Sequence, residues 1–167
     1  MKCDSCGSDH ELLDPAFRRP DAIHRLPKHL RAGNVIESDD LCALRARSDS
    51  ETDHYFVRCT MDVSLLDRPG ELTQWGLWAE IGGEDSARIR DLWTAPEQTG
   101  VTFSATLAND IPGYAPTIGL PMRLQLTGPK TRPSLVFTAQ ARHPFVDECR
   151  AGVRVHRLAE WLDGLRS

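Results

Sequence analysis

The stretch 54–66 constrains the fold of this chain more than any other. Tyr55, Val57, Cys59, Met61 and Val63 alternate with His54, Phe56, Arg58, Thr60, Asp62 and Ser64, which leaves one face mostly apolar. A repeat of two is the period of a pleated strand; a helix would scatter these apolar residues around its circumference. The chain must therefore build a sheet around a long strand.

The flanking sequence supplies more strands. Residues 41–47 carry Leu41, Ala43 and Ala46 among polar neighbours, and the polar turn 48–53 joins them to the long strand as a hairpin. Pro69 and Gly70 mark a turn before a strand over 74–81, which Gly82-Gly83 ends. A helix follows over 85–93, capped by Asp85 or Ser86, with Ile89, Leu92 and Trp93 as its buried stripe. Strands are predicted over 101–107, 120–126 and 134–140, then helices over 143–150 and 154–165 with a break at Gly152. Val155, Leu158, Leu162 and Leu165 share one face of the last helix. Short connections favour antiparallel pairing. The expected class is α+β: a mostly antiparallel sheet of about six strands with C-terminal helices.

Residues 1–33 read differently. Pro15, Pro20 and Pro27 break regular structure, and a short helix over 28–32 stops at Gly33. We expect one domain over 1–167, divided into a metal-knuckle lobe (1–33) and a sheet with helices (34–167).

The lobe begins with Cys3-Asp4-Ser5-Cys6-Gly7-Ser8-Asp9-His10. A Cys-x-x-Cys turn presents two thiolates to one tetrahedral metal, and the glycine lets backbone amides turn toward the sulfurs. The expected ligands are Cys3, Cys6, His10 and Cys42 around a structural Zn2+, with His24, His29, His54 and Cys59 left open as alternatives. Burial as a small hydrophobe is the competing reading of Cys42 and Cys59, and weighs more for Cys59 on the apolar face of its strand. A redox Cys-x-x-Cys needs a preceding strand, and only two residues precede Cys3.

Other residues invite functional readings. Trp75 and Trp78 stand an odd number apart, so they face opposite sides of their strand. The loop 109–116 carries Asp110 and Tyr114; with Arg132, His143, His54 and Arg58 these can be imagined lining a cleft, although no spacing among them matches a catalytic motif. His143 before Pro144 reads first as a helix cap, since Pro suits the first turn.

Charge and cysteine usage exclude some classes. A net charge of −4 argues against bulk electrostatic binding to nucleic acid. Arg18, Arg19, His24, Arg25, Lys28, His29 and Arg31 form a local basic exception, which reads first as a solvated face. Five cysteines, an odd number, argue against a disulfide framework, and no run approaches the roughly 20 apolar residues of a membrane span. A cytoplasmic, reducing location is the expectation, with no membrane partner.

Cys3-x-x-Cys6-Gly7-x-x-His10, Asp40-x-Cys42, Tyr55-Phe56-Val57-Arg58, Trp75-Gly76-x-Trp78, Gly113-Tyr114, Arg132-Pro133 and His143-Pro144 occur in this order. Together, from Cys3 to about Val153, they resemble a bacterial family, domain of unknown function 2199. The resemblance implies a single bacterial cytoplasmic domain, brings no established activity, and favours Cys42 over Cys59 as a metal partner. The chain departs from the family pattern at Asp147-Glu148-Cys149.

A metal site without a catalytic set points to a zinc-binding interaction or regulatory protein, with another protein as its partner. The alternatives are a small-molecule enzyme with a cleft near Asp110, Tyr114 and His143, and a nucleic-acid-associated zinc protein using the basic segment.

Overall fold

The computed structural model describes residues 2–10 and 13–167. After two short helices, α1 (Asp21–His24) and α2 (Lys28–Asn34), come strands β1 (Val35–Glu37), β2 (Leu41–Leu44), β3 (His54–Ser64) and β4 (Leu72–Ile81). Helix α3 (Gly83–Leu92) leads to β5 (Thr102–Leu107), β6 (Pro121–Gln125) and β7 (Ser134–Phe137), and the chain ends in α4 (Pro144–Ala151) and α5 (Val155–Arg166). The α+β class and the long strand are as the sequence suggests. The expected 41–47 strand ends at Leu44, β1 is an additional short strand, and α1 is an additional turn of helix.

Each strand pairs with the next in sequence, antiparallel throughout. One pairing breaks that pattern: β7 returns to β3 in parallel, Thr60 opposite Ser134, and Thr60 N donates to Pro133 O at 2.9 Å. The expected antiparallel sheet is thus a mixed sheet closing into a barrel. The length of β3 is the reason. β4 takes one edge from Tyr55 to Ser64, while the other edge is long enough for β2 over 54–57 and then β7 at Thr60. Strands β1 and β2 extend from the barrel as a flap.

The alternation in β3 is realised literally. Val57, Cys59, Met61 and Val63 point inward with Trp75, Leu77, Ala79 and Ile81 from β4, and join Phe103, Leu124 and Leu135. The helices bury Ile89, Phe145, Leu158 and Trp161 into this same core. Trp75 meets Phe145 and Trp161 at ring-centroid distances of 5.6 and 5.2 Å, a spacing that suits edge and tilted aromatic contacts.

The outer face of β2–β4 has its own smaller core of Cys42, Phe56 and Trp78, covered by Ile23 of α1. The two tryptophans do take opposite faces, and both are buried, because the N-terminal segment roofs the outer one. Trp78 Nε1 donates to Phe17 O at 3.1 Å. Residues 14–17 run along β4 beside Gly76, where an added methyl would stand only 2.9 Å from Ala16 Cβ. Buried Asn109 then ties roof to barrel: its Oδ1 accepts from Trp78 N, and its Nδ2 donates to Arg19 O and Asp21 Oδ1.

Candidate metal centre

The knuckle forms for local reasons. Lys2 and Asp9 pair as an antiparallel bridge, Cys3 N donates to Ser8 O, and Gly7 N donates to Cys3 O at 2.7 Å. This tight return requires a left-handed residue at its corner, and Gly7 adopts φ 71° there. The turn places the Cys3 and Cys6 sulfurs on one side. His10 follows, with its Nε2 3.2 Å from Cys6 Sγ.

The fourth group comes from the other end of the fold. Val153 pairs with Leu65, and Val155 N donates to Asp67 Oδ1 at 3.0 Å, so the start of α5 is anchored to the end of β3. That anchorage sets His156 beside the knuckle, its Nδ1 3.6 Å from Cys3 Sγ. One ligand atom from each of Cys3, Cys6, His10 and His156 lies within 4.8 Å of every other. A tetrahedral zinc with bonds of about 2.0–2.3 Å holds its ligands about 3.3–3.8 Å apart, so the group needs only a small contraction. Glu160 Oε1 lies 3.6 Å from His156 Nε2, on the side away from Cys3.

The electrostatics suit a thiolate. Burial works against ionising Cys3, but the Ser5 and Cys6 backbone, the Cys6 side chain and His156 outweigh it and bring the thiol down to about 6. Cys42, Cys59 and Cys149 behave oppositely. Burial pushes Cys42 up to about 11, with Glu37 adding to the effect. Burial alone raises Cys59, and burial followed by the Glu148 charge raises Cys149.

Of the four ligands read from sequence, Cys3, Cys6 and His10 come together and Cys42 does not join them. Cys42 is 5% exposed in the outer core, its thiol 3.9 Å from Ser38 O. The alternation of β2 turns Leu41 and Ala43 toward the barrel side and Cys42 toward the roof, away from any partner ligand. His156 takes the remaining place. Its only sequence signal is a histidine in the first turn of an amphipathic helix with Glu160 four residues on, a weak signal at 153 positions from Cys3.

The residues imagined as a catalytic cleft are each engaged, although Tyr114 and His143 do lie side by side, ring centroids 6.0 Å apart. Asp110 accepts from Thr117 N, Ile118 N and Arg25, which organises its own loop. His143 caps α4, accepting from Phe145 N at Nδ1, and its Nε2 lies 3.0 Å from Ala115 O; donation there occupies both nitrogens. Tyr114 OH accepts from Trp161 Nε1 and Arg157. Arg157 also grips Glu148 through two nitrogens, which holds that carboxyl below its usual range. Arg58 lies over Trp78, Arg132 pairs with Asp40, and His54 pairs with Glu80. The basic segment is partly neutralised, Arg19 by Glu37 and Arg25 by Asp21 and Asp110.

Fold and site together define a class: a closed α+β barrel in which a Cys2His2 group joins an N-terminal knuckle to the last helix. The chain belongs to the family of uncharacterised proteins conserved in bacteria, domain of unknown function 2199, whose model matches residues 2–153. That match spans Cys3, Cys6 and His10 and stops short of His156. No curated protein and no solved structure matches the chain. Among the described residues, no helix is long and apolar enough to cross a membrane.

Proposed function

We propose that this protein is a non-catalytic interaction or regulatory domain whose fold is stapled by a structural zinc ion. One observation carries the reading: four protein donors, two sulfur and two nitrogen, converge within 4.8 Å. Sulfur and imidazole together suit zinc, and four protein ligands close its coordination sphere, whereas a catalytic zinc keeps one position for water. The engaged states of Asp110, Tyr114 and His143 support the same reading, since each spends its polar atoms on the fold.

The test is metal analysis of native protein combined with thermal unfolding. We expect one zinc per chain and a melting temperature that falls by several degrees when a chelator removes it. Protein that loses its metal and keeps its melting temperature would refute a structural role. Metal content far below one per chain after expression with zinc would refute the site.

A further inference from the structure

Between the β1–β2 flap and α3 lies a cavity of about 320 Å³. Its sheet side follows from strand alternation. Leu41 and Ala43 face α3, Ile36 is cross-strand from Ala43 on one side, and Tyr55 on the other. Ile36 is 55% exposed, a large apolar side chain that no element of the described structure covers. On the helix side stand Ser86 and Arg90, one turn apart, and Arg45 continues the β2 face past Ala43.

The cavity carries two arginines that hold no carboxylate among the described residues. Arg19, Arg25, Arg132 and Arg157 each hold a carboxylate. Arg45 and Arg90 make no ion pair or side-chain hydrogen bond among the described residues, yet both line this one cavity. The single carboxylate there, Asp53, is spent locally: it accepts from Ala46 N at 2.7 Å and from Tyr55 OH at 3.4 Å. Two guanidinium groups against one carboxylate leave the lining net positive. Both arginines are exposed, so an anion can reach them from solvent, and the apolar side chains of Ile36, Leu41, Ala43 and Tyr55 stand beside them. The volume falls in the range of small-molecule sites, where an apolar lining and a few convergent polar groups are the rule.

We propose that this cavity binds a small organic anion, a carboxylate or phosphate ester on a compact apolar body. Arg45 and Arg90 hold the anionic group, and Ile36, Ala43 and Tyr55 hold the apolar part. The site stands apart from the metal centre and does not depend on the zinc reading.

Calorimetric titration of the purified protein tests it, with phenylacetate, phenyl phosphate, phenylacetamide and inorganic phosphate as probes. Both aromatic anions are expected to bind with Kd at or below about 1 mM. The neutral amide and inorganic phosphate, each lacking one half of the recognition, should bind at least about tenfold more weakly. Arg45→Gln and Arg90→Gln should each weaken the aromatic anions about tenfold without altering thermal unfolding. Amide chemical shifts of wild-type protein should move at Tyr55 and Ser86, a readout independent of any variant. Equal binding of amide and carboxylate, unchanged affinity in both variants, shifts confined to other surfaces, or no binding of either aromatic anion up to about 5 mM would each overturn the proposal.

Discussion

Replacing His156 by alanine removes the one donor that joins the knuckle to α5, and the size of the effect can be worked from chain connectivity. The bridge spans 153 positions between Cys3 and His156. By the chain-entropy argument, a covalent link closing a loop near that length stabilises a fold by about 5 kcal/mol, through restriction of the unfolded chain. That figure is a ceiling, because a metal link is reversible and residues 14–17 hold the N-terminal segment to β4 regardless. A loss of about 2–4 kcal/mol is therefore expected in zinc, or about 5–15 °C in Tm for a chain of this length. The assay is urea and thermal unfolding of wild type and His156→Ala, each with saturating zinc and with chelator. In zinc the variant should be less stable by the stated amount; in chelator the two should agree within about 0.5 kcal/mol, since the histidine then has little left to do. Equal stabilities in zinc would refute the staple. A difference that persists undiminished in chelator would show that His156 acts by packing alone.

Cys42→Ala should leave zinc stoichiometry unchanged and cost about 1 kcal/mol, as expected for trimming a small side chain in the outer core, and metal analysis with urea unfolding checks both. Asn109→Ala removes three hydrogen bonds, two of them between barrel and roof, and leaves Trp78 N without its partner, so a loss of about 2–4 kcal/mol is expected in urea unfolding. Glu148, held low by Arg157 in the folded state, contributes stability that is present above its unfolded pKa and is lost as pH falls through the folded value. Glu148→Gln should therefore narrow the gap in stability between neutral pH and about pH 3, measured in chelator so that metal loss adds nothing.

How much of this was legible depends on the range over which each signal acts. The strand β3 announced itself because a pleat repeats every two residues, and the whole pattern lies within one stretch. The knuckle did the same, since Gly7 and its two cysteines make their turn by local hydrogen bonds. Trp75 and Trp78 could be assigned to opposite faces by parity, but only the roof of residues 13–34 explains why both are buried. Strand β1 escaped notice because three residues, one of them an exposed Ile36, carry too short a pattern to read.

The local chemistry is readable in the residues alone: the α+β class, the long alternating strand, the Cys-x-x-Cys turn and the histidine cap of α4. Three features come instead from long-range contacts in the folded chain. The sheet closes into a barrel, because β3 has edge to spare for β7. Cys42 goes to the roof side, because one step along a strand reverses the face. His156 comes to the knuckle, because the Val153–Leu65 pairing fixes where α5 begins. Each of these depends on contacts between residues far apart in the chain, and no local periodicity encodes such a distance.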